Sequence, residues 1–343
     1  MKAGAFDVDQ QVAIGMLLAP NPHGIPNSEV LRPRFTARDL LQRTGGGWII
    51  DFGCDTELDA AAKFQEPFRH IETKVKPERI QNRRKSLARW WWIHGEPRPG
   101  LRKATAGLPR FIITPEVSKH RIFVWLDAAN LADHQTRVFA RADDYAFGVL
   151  HSWTHEVWAL AQGTQLREKA SGFRYTPTSC FETFPFPRPT PAQETAIAAA
   201  AKELDELRER WLNPPEWTVE RILEFPGSAD GPWSRYLVNP GKNGIGTVRY
   251  PRLEPRDADC AAKLKKRTLT NLYNERPAWL DLAHRALDAA VAAAYGWPVE
   301  LPDEQVLERL LVLNLERAAE EAKAQESPKR KSAQRAKTEH EMT

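Results

Sequence analysis

The 343-residue sequence predicts an α+β protein in which a mixed α/β domain is followed by a mainly helical domain. Residues 1–189 alternate short β-branched and aromatic runs with helical stretches, whereas residues 190–326 repeat apolar side chains at helical spacing. At the junction, residues 181–191 contain four prolines in eleven positions, which predicts an extended connector. We therefore place the domain boundary at 189. Residues 327–343 have no apolar periodicity and are expected to be disordered.

Three runs in the first domain predict strands: GWIIDFG at 47–53, RFIIT at 110–114 and RIFVWL at 121–126. Residues 55–89 are expected to be helical in pieces. Residues 145–161 place apolar side chains at helical spacing, which predicts one continuous helix. Strands and helices thus alternate, as is typical of a mixed α/β domain.

Capping signals and apolar periodicity predict three helices in the second domain. A capping box that begins at Thr190 predicts a helix to about residue 213. Two more helices are predicted at 277–295 and at 303–324. The Gly- and Pro-rich residues 225–255 are expected to form long loops with at most one strand.

The composition excludes several classes of protein. With 42% hydrophobic and 27% charged residues the chain is typical of soluble globular proteins, and no apolar run approaches the roughly 20 residues needed to span a bilayer. The first residues lack the apolar core of a signal peptide, so we expect a cytoplasmic location. Cys54, Cys180 and Cys260 form no CxxC pair, which predicts neither a disulfide framework nor a structural zinc site.

The net charge of +4 is distributed unevenly. Residues 74–110 hold eleven basic and two acidic residues, a local charge of +9, and the rest of the chain sums to −5. Because each Lys or Arg near a phosphate releases condensed counterions, this pattern favours a polyanion binder over the alternative of a solvated face. Three consecutive tryptophans at 90–92 favour an ordered platform beneath the charges. Adjacent tryptophans cannot all face one ligand, which disfavours single-stranded RNA stacking.

Two motifs that suggest chemistry are better explained by structure. Residues 213–215 read Asn-Pro-Pro, as in the motif with which DNA amino-methyltransferases hold a flipped base, but Glu216 stands where a stacking aromatic is required. We therefore interpret the prolines as a helix stop. His151 and His155 are spaced to share a helical face, yet no third metal ligand accompanies them, so we expect them to be packed or to face DNA.

Six stretches, in order along nearly the whole chain, carry a family resemblance. They are KAGAFDVDQQVAIGMLLAPNPHGIPNSEVLRP, GGWIIDFG, VKPERIQNRRKSLARWWWIHGEPRPGLR, LPRFIITPEVSKHRIFVWLD, DDYAFGVLHSWTHEVWALAQGTQLREKASGFRYTPTSCFETFPFP and TNLYNERPAWLDLAHRALDAAVAAAYGWP. Together they resemble the C-terminal half of MmeI-like type IIG (IIL) restriction-modification proteins and their adenine-specific DNA methyltransferase relatives. In that family an optional nuclease, a helical connector and a methyltransferase domain precede a target recognition domain and a C-terminal helical domain.

The resemblance implies that residues 1–189 are a DNA target recognition domain and residues 190–326 the C-terminal helical domain, without the catalytic methyltransferase domain. The implied function is the sequence-recognition portion of an adenine-specific DNA methyltransferase in phage defence. The implied partners are double-stranded DNA and a methyltransferase subunit encoded upstream, which would bind S-adenosylmethionine. No cofactor, metal ligand or catalytic residue is expected in this chain. The alternative is a truncated or split interaction subunit that docks on a methyltransferase or another defence component without binding DNA.

The resemblance also places two segments near DNA, residues 114–121 and 163–174. Polar side chains in these segments suit direct readout of base edges. The residues expected to contact bases are Gln165, Arg167, Lys169, Arg174, Glu116, Lys119 and His120. Those expected to contact phosphates are Arg83, Arg84, Lys85, Arg89, Arg102 and Lys103.

Overall fold

The computed structural model describes residues 4–43, 46–165 and 172–340, with side chains given for these except at 165 and 325–340. In the first half the elements are β1 (Asp7–Val8), α1 (Gln10–Leu18), β2 (Leu31–Phe35), α2 (Ala37–Gln42), β3 (Gly47–Ile50), α3 (Leu58–Ala62), α4 (Gln65–Lys74), α5 (Lys76–Ile80), α6 (Lys85–Arg89), α7 (Pro99–Thr105), β4 (Arg110–Pro115), β5 (Val117–Ser118), β6 (Val124–Asp127), β7 (Leu131–Ala132), β8 (Thr136–Phe139), α8 (Asp144–His151), α9 (Trp153–Gln162), β9 (Thr164–Gln165), β10 (Phe173–Arg174) and α10 (Pro177–Cys180). The second half comprises α11 (Pro191–Leu212), β11 (Thr218–Ser228), β12 (Leu237–Val238), β13 (Ile245–Pro255), α12 (Ala258–Leu264), α13 (Leu269–Glu275), α14 (Ala278–Tyr295) and α15 (Asp303–His340).

The fold is α+β, as the sequence predicts, with a helical C-terminal part. In the described part of the chain the strands form four small sheets of order β1-β3-β2-β7, β6-β4-β8, β5-β10-β9 and β11-β13-β12. Neighbouring strands are antiparallel except for β2 and β7. The predicted strands at 47–53, 110–114 and 121–126 correspond to β3, β4 and β6. None of the helices in the described ranges has the length and apolarity required to cross a bilayer.

Two apolar cores hold these elements together. The larger one joins sheet β6-β4-β8 and helices α8 and α9 to the C-terminal helices, and includes the fully buried Ile112, Phe147, Leu287 and Leu310. The smaller one joins sheet β1-β3-β2-β7 to residues of the β11–β13 hairpin. Both cores therefore combine residues from before and after position 189, and the division into domains at that position stays a prediction.

The prediction of loops at 225–255 is wrong, because β11 and β13 form a hairpin paired over eleven residues each. Proline favours irregular structure in a sequence, but β11 lies at the edge of its sheet, where a strand tolerates a residue such as Pro226 that has no N–H to donate. Pro251 lies beyond the two residues at which β13 also pairs with β12. The hairpin is fixed by the fully buried Trp233, whose Nε1 donates to the carbonyl oxygens of Ser28 at 3.0 Å and Leu31 at 3.1 Å.

The single helix predicted over 145–161 is also corrected, because it divides into α8 and α9 at Ser152. Ser152 has extended backbone angles, φ −70° and ψ 153°, and its side chain accepts from the amide of His155. Serine at such a position caps a new helix by its hydroxyl group. At the C-terminus α15 continues to His340, into the segment expected to be disordered, where Lys, Arg, Ala and Gln are all good helix formers.

Candidate nucleic-acid interface

The two segments expected near DNA meet in one three-stranded sheet, which we call the small sheet. Strand β10 lies in its centre, with β5 from the first segment on one side and β9 from the second on the other. Arg174 is opposite Val117 on one neighbour and Thr164 on the other. Because neighbouring strands are roughly 5 Å apart, residues that are about fifty positions apart in sequence share one narrow surface.

Glu116 and Arg174, two of the candidate base contacts, lie side by side at the start of the small sheet. Arg174 Nε is 3.4 Å from Glu116 Oε1, and Arg137 Nη2 is 2.9 Å from the same oxygen. The side chain of Arg174 is half-exposed, and its guanidinium has further donors besides Nε. Arg137 is not among the predicted site residues, because it lies in the short strand β8, outside the two segments expected near DNA.

Lys119 and His120 follow β5 and contact the helical part of the protein. Lys119 Nζ is 2.7 Å and His120 Nε2 is 2.9 Å from Oδ1 of Asn274 on α13. The structure thus brings Glu116, Lys119, His120 and Arg174 to one sheet and its margin. Arg167 and Lys169 lie outside the described residues, and of Gln165 only the backbone, in β9, is described.

Two glycines hold the ends of the 163–172 segment against the small sheet. A Cβ on Gly163 would lie 1.9 Å from Cζ of Phe173. A Cβ on Gly172 would lie 2.6 Å from the carbonyl carbon of Ser118, and Gly172 has φ +91°, a conformation that side chains rarely adopt. Both close approaches require glycine.

Gly172→Ala is therefore expected to lower the free energy of unfolding by about 2 kcal/mol, because the methyl group meets backbone and the positive φ is strained. Urea denaturation of the purified protein measures this loss. Gly100→Ala is the matched control, since Gly100 lies in α7 with open space around it and gains helix propensity. Equal stabilities of the two variants would contradict the close packing at Gly172.

Arg121 holds β10 of the small sheet to β4. The sequence does not identify this role. The Arg121 guanidinium donates to Thr114 Oγ1 at 3.0 Å, to the Pro115 carbonyl at 2.7 Å and to the Phe173 carbonyl at 3.0 Å. Burial lowers the pKa of Arg121 to about 10, so the group is still charged at neutral pH. The ring of Tyr175 lies 5.0 Å from the guanidinium. Arg121 thereby links β4 to β10.

The candidate phosphate contacts lie mostly on and beside α6. Arg83, Arg84, Lys85 and Arg89 are exposed. The tryptophans that follow them are packed, with Trp91 and Trp92 each 6% exposed and Trp92 Nε1 donating to the Thr56 carbonyl at 2.7 Å. The basic side chains therefore project from an ordered platform, as predicted.

Arg102 differs from the other members of this set. Its two terminal nitrogens each donate at 2.8 Å to an oxygen of the buried Asp51, and its Nε donates to the Pro97 carbonyl at 2.7 Å. Hydrogen bonds from Arg102 hold the pKa of Asp51 below its usual range against the opposing effect of burial. This is the geometry of a structural ion pair and not that of a side chain open to a phosphate. Lys103 is exposed.

A cleft of about 850 Å³ is lined by residues of α7 and β8. It extends from Arg98 on the side of α7 to Arg137, the partner of Glu116, and Arg235 from the hairpin also lines it. Basic side chains from three separate parts of the chain therefore border one concave surface. Asp127 and Asp133 line the same cleft, and Arg235 Nη1 lies 3.0 Å from Asp127 Oδ2.

His151 and His155 are packed rather than exposed to a ligand. His155 Nδ1 is 2.8 Å from the Leu150 carbonyl oxygen and Nε2 is 3.0 Å from the Tyr175 hydroxyl. Burial lowers the pKa of His155 to about 4 and that of His151 well below its ordinary value. Within the described ranges, His, Cys, Asp and Glu form no group of three or more suited to a metal ion.

Comparison with known proteins points to one family. The model for the family described as MmeI, target recognition domain, matches residues 27–188. Among solved structures the chain is similar to the type IIL restriction-modification enzyme MmeI in complex with DNA, with 17% sequence identity and a TM-score of 0.60 over 92% of this chain. The chain covers 34% of that enzyme's chain, and at this identity the likeness shows the fold. No curated protein matches.

Proposed function

We propose that the chain is the sequence-reading part of a type IIL restriction-modification system, because residues 27–188 match the model of the MmeI target recognition domain family. The observation that carries the proposal is the small sheet, which lies within the matched residues. It gathers Glu116, Lys119, His120 and Arg174, which are polar side chains with both donors and acceptors, on one surface.

The chemistry of these side chains suits the major groove of duplex DNA. Arginine can donate two hydrogen bonds to guanine, and a carboxylate can accept from the amino group of cytosine. In the proposed complex Arg174 and Glu116 contact base edges, while Arg83, Arg84, Lys85, Arg89 and Lys103 contact phosphates.

We further propose that the methylated base is adenine and that a catalytic unit outside these 343 residues transfers the methyl group from S-adenosylmethionine. In this division of work the present chain binds and orients the duplex, while the catalytic unit flips the target base out of the helix. The chain itself would bind no cofactor. The system would act in phage defence in the cytoplasm.

The proposal predicts different effects for a phosphate contact and a base contact. Arg84→Ala should weaken binding to every DNA sequence and lower the slope of log affinity against log salt by about 1. Arg174→Ala should cost about 1–3 kcal/mol at one base position and leave the slope unchanged. Fluorescence anisotropy with duplexes selected from a random library, repeated over several salt concentrations, measures both quantities.

Lys202→Ala provides the matched control for the loss of one positive charge. Lys202 is exposed on α11, outside the matched residues, and should be neutral in both assays. If the wild-type chain does not bind duplex DNA even at low salt, the proposed function is wrong.

One observation favours a second candidate, an interaction subunit that docks on another protein without binding DNA. Leu311, Val312 and Leu315 on α15 are about half exposed or more, although apolar side chains of this size are costly to leave in water. Light scattering of the purified chain and co-purification with the product of the adjacent reading frame would support this candidate, provided that DNA binding is absent.

A further inference from the structure

Two of the candidate base contacts share a single hydrogen-bond acceptor from the helical part of the protein. Lys119 Nζ lies 2.7 Å and His120 Nε2 lies 2.9 Å from Oδ1 of Asn274. Asn274 is exposed near the end of α13, more than 150 positions along the chain, and lies outside the residues matched by the family model. The contact therefore crosses from the helical part to the margin of the small sheet.

The position of Asn274 is fixed by its neighbour Tyr273. The Tyr273 hydroxyl is buried and lies 3.0 Å from His284 Nε2, 3.2 Å from His151 Nε2 and 3.4 Å from Arg208 Nη1. These partners come from α14, α8 and α11. One turn earlier, the hydroxyl of Thr270 donates to the Leu41 carbonyl at 3.1 Å. Helix α13 is thus held from both sides. These contacts fix the backbone position of Asn274 relative to Lys119 and His120.

The chemistry of the three groups determines which atoms face each other. A lysine ammonium only donates, so the carboxamide must present its oxygen and not its nitrogen to Lys119. The same oxygen lies 2.9 Å from His120 Nε2, and in the tautomer that carries its hydrogen on Nε2 the other ring nitrogen, Nδ1, is an acceptor. An acceptor of this kind can be matched by the amino group of adenine or cytosine in the major groove.

We propose that Asn274 is a positioning residue for sequence recognition, which sets the orientation of Lys119 and the ring tautomer of His120. This inference rests on the proposed function. It means that part of the DNA specificity is determined by the helical part, outside the target recognition domain, and that exchanging residues 27–188 between relatives would not transfer the whole specificity.

The test compares Asn274→Ala with Asn274→Asp, which keeps the accepting oxygen, and with Glu275→Ala on the same exposed helix end. Without DNA, long-range nitrogen–proton NMR of labelled histidine reports the His120 tautomer. We expect the Nε2–H form in the wild type, Asn274→Asp and Glu275→Ala, and a mixture of tautomers in Asn274→Ala. With random-library duplexes, Asn274→Ala should lose at least tenfold discrimination at one or two base positions, with an unchanged salt slope.

The two readouts separate the possible failures. Asn274→Ala with the wild-type tautomer and wild-type discrimination overturns the inference, and so does a loss of discrimination equal in Asn274→Asp. If the wild type itself distinguishes no sequences, the proposed function fails and the specificity role fails with it, while the NMR experiment still reports whether Asn274 orients His120. Thermal unfolding of each variant checks that the fold is retained.

Discussion

Replacing Arg121 with leucine is expected to lower the free energy of unfolding by about 4 kcal/mol. The substitution removes the donor from Thr114 Oγ1 and from the carbonyl oxygens of Pro115 and Phe173, all in a buried region. A buried acceptor left without a partner costs about 1–3 kcal/mol, and three are affected here. Urea denaturation at pH 7 measures the loss. Because these acceptors belong to β4 and β10, the same change should disorder the small sheet and abolish the proposed base reading.

Two variants control for charge and for position. Arg121→Lys keeps the positive charge but cannot reproduce the fork of donors, so an intermediate loss of about 2 kcal/mol is expected. Arg174→Leu changes an arginine of the same sheet whose side chain is half-exposed, and should cost less than about 1 kcal/mol. Similar losses for Arg121→Leu and Arg174→Leu would show that the buried hydrogen bonds of Arg121 do not support the sheet.

The sequence predicts the α+β class and strands β3, β4 and β6 because their apolar runs are recognisable, but it does not predict β11 and β13, whose sequences are rich in Gly and Pro. It cannot predict the small sheet in the same way, since β5, β9 and β10 have two residues each and no periodicity. The two segments were singled out by a family resemblance, and their pairing depends on Gly163 and Gly172, which allow backbone to approach backbone.

Charge is likewise ambiguous in sequence, because an exposed arginine and a buried one look identical. Arg84 is exposed next to α6, whereas Arg102 forms a bidentate pair with Asp51, about fifty positions earlier. Arg121 and Arg208 are buried among carbonyl oxygens and rings supplied by several distant elements. Only the tertiary structure shows which positive charges are available to a ligand, and this separates the candidate phosphate contacts from the structural arginines.

Acidification from pH 7 to pH 5 is expected to lower the free energy of unfolding by about 6 kcal/mol. Burial lowers the pKa of His94 and His155 to about 4, that of His284 to about 3, and that of His151 well below its ordinary value. In the unfolded chain each histidine takes up a proton near pH 6.5, so the unfolded state binds more protons below this pH. The stability is thus fully present above pH 6.5 and is lost as the pH falls toward the folded-state values.

Each of the four histidines lowers the free energy of unfolding by about 2 kcal/mol at pH 5, and the buried carboxyl group of Asp288 offsets about 1–2 kcal/mol of this sum. Burial raises the pKa of Asp288 to about 6, so the folded state takes up a proton there and gains stability on acidification. Denaturant unfolding between pH 7.5 and 5 measures the net slope. His155→Gln removes one of the four titrating groups and should reduce the loss by about 2 kcal/mol, whereas His23→Gln, at an exposed position, should leave the slope as in the wild type. A slope that His155→Gln does not change would mean that His155 is already charged in the folded protein.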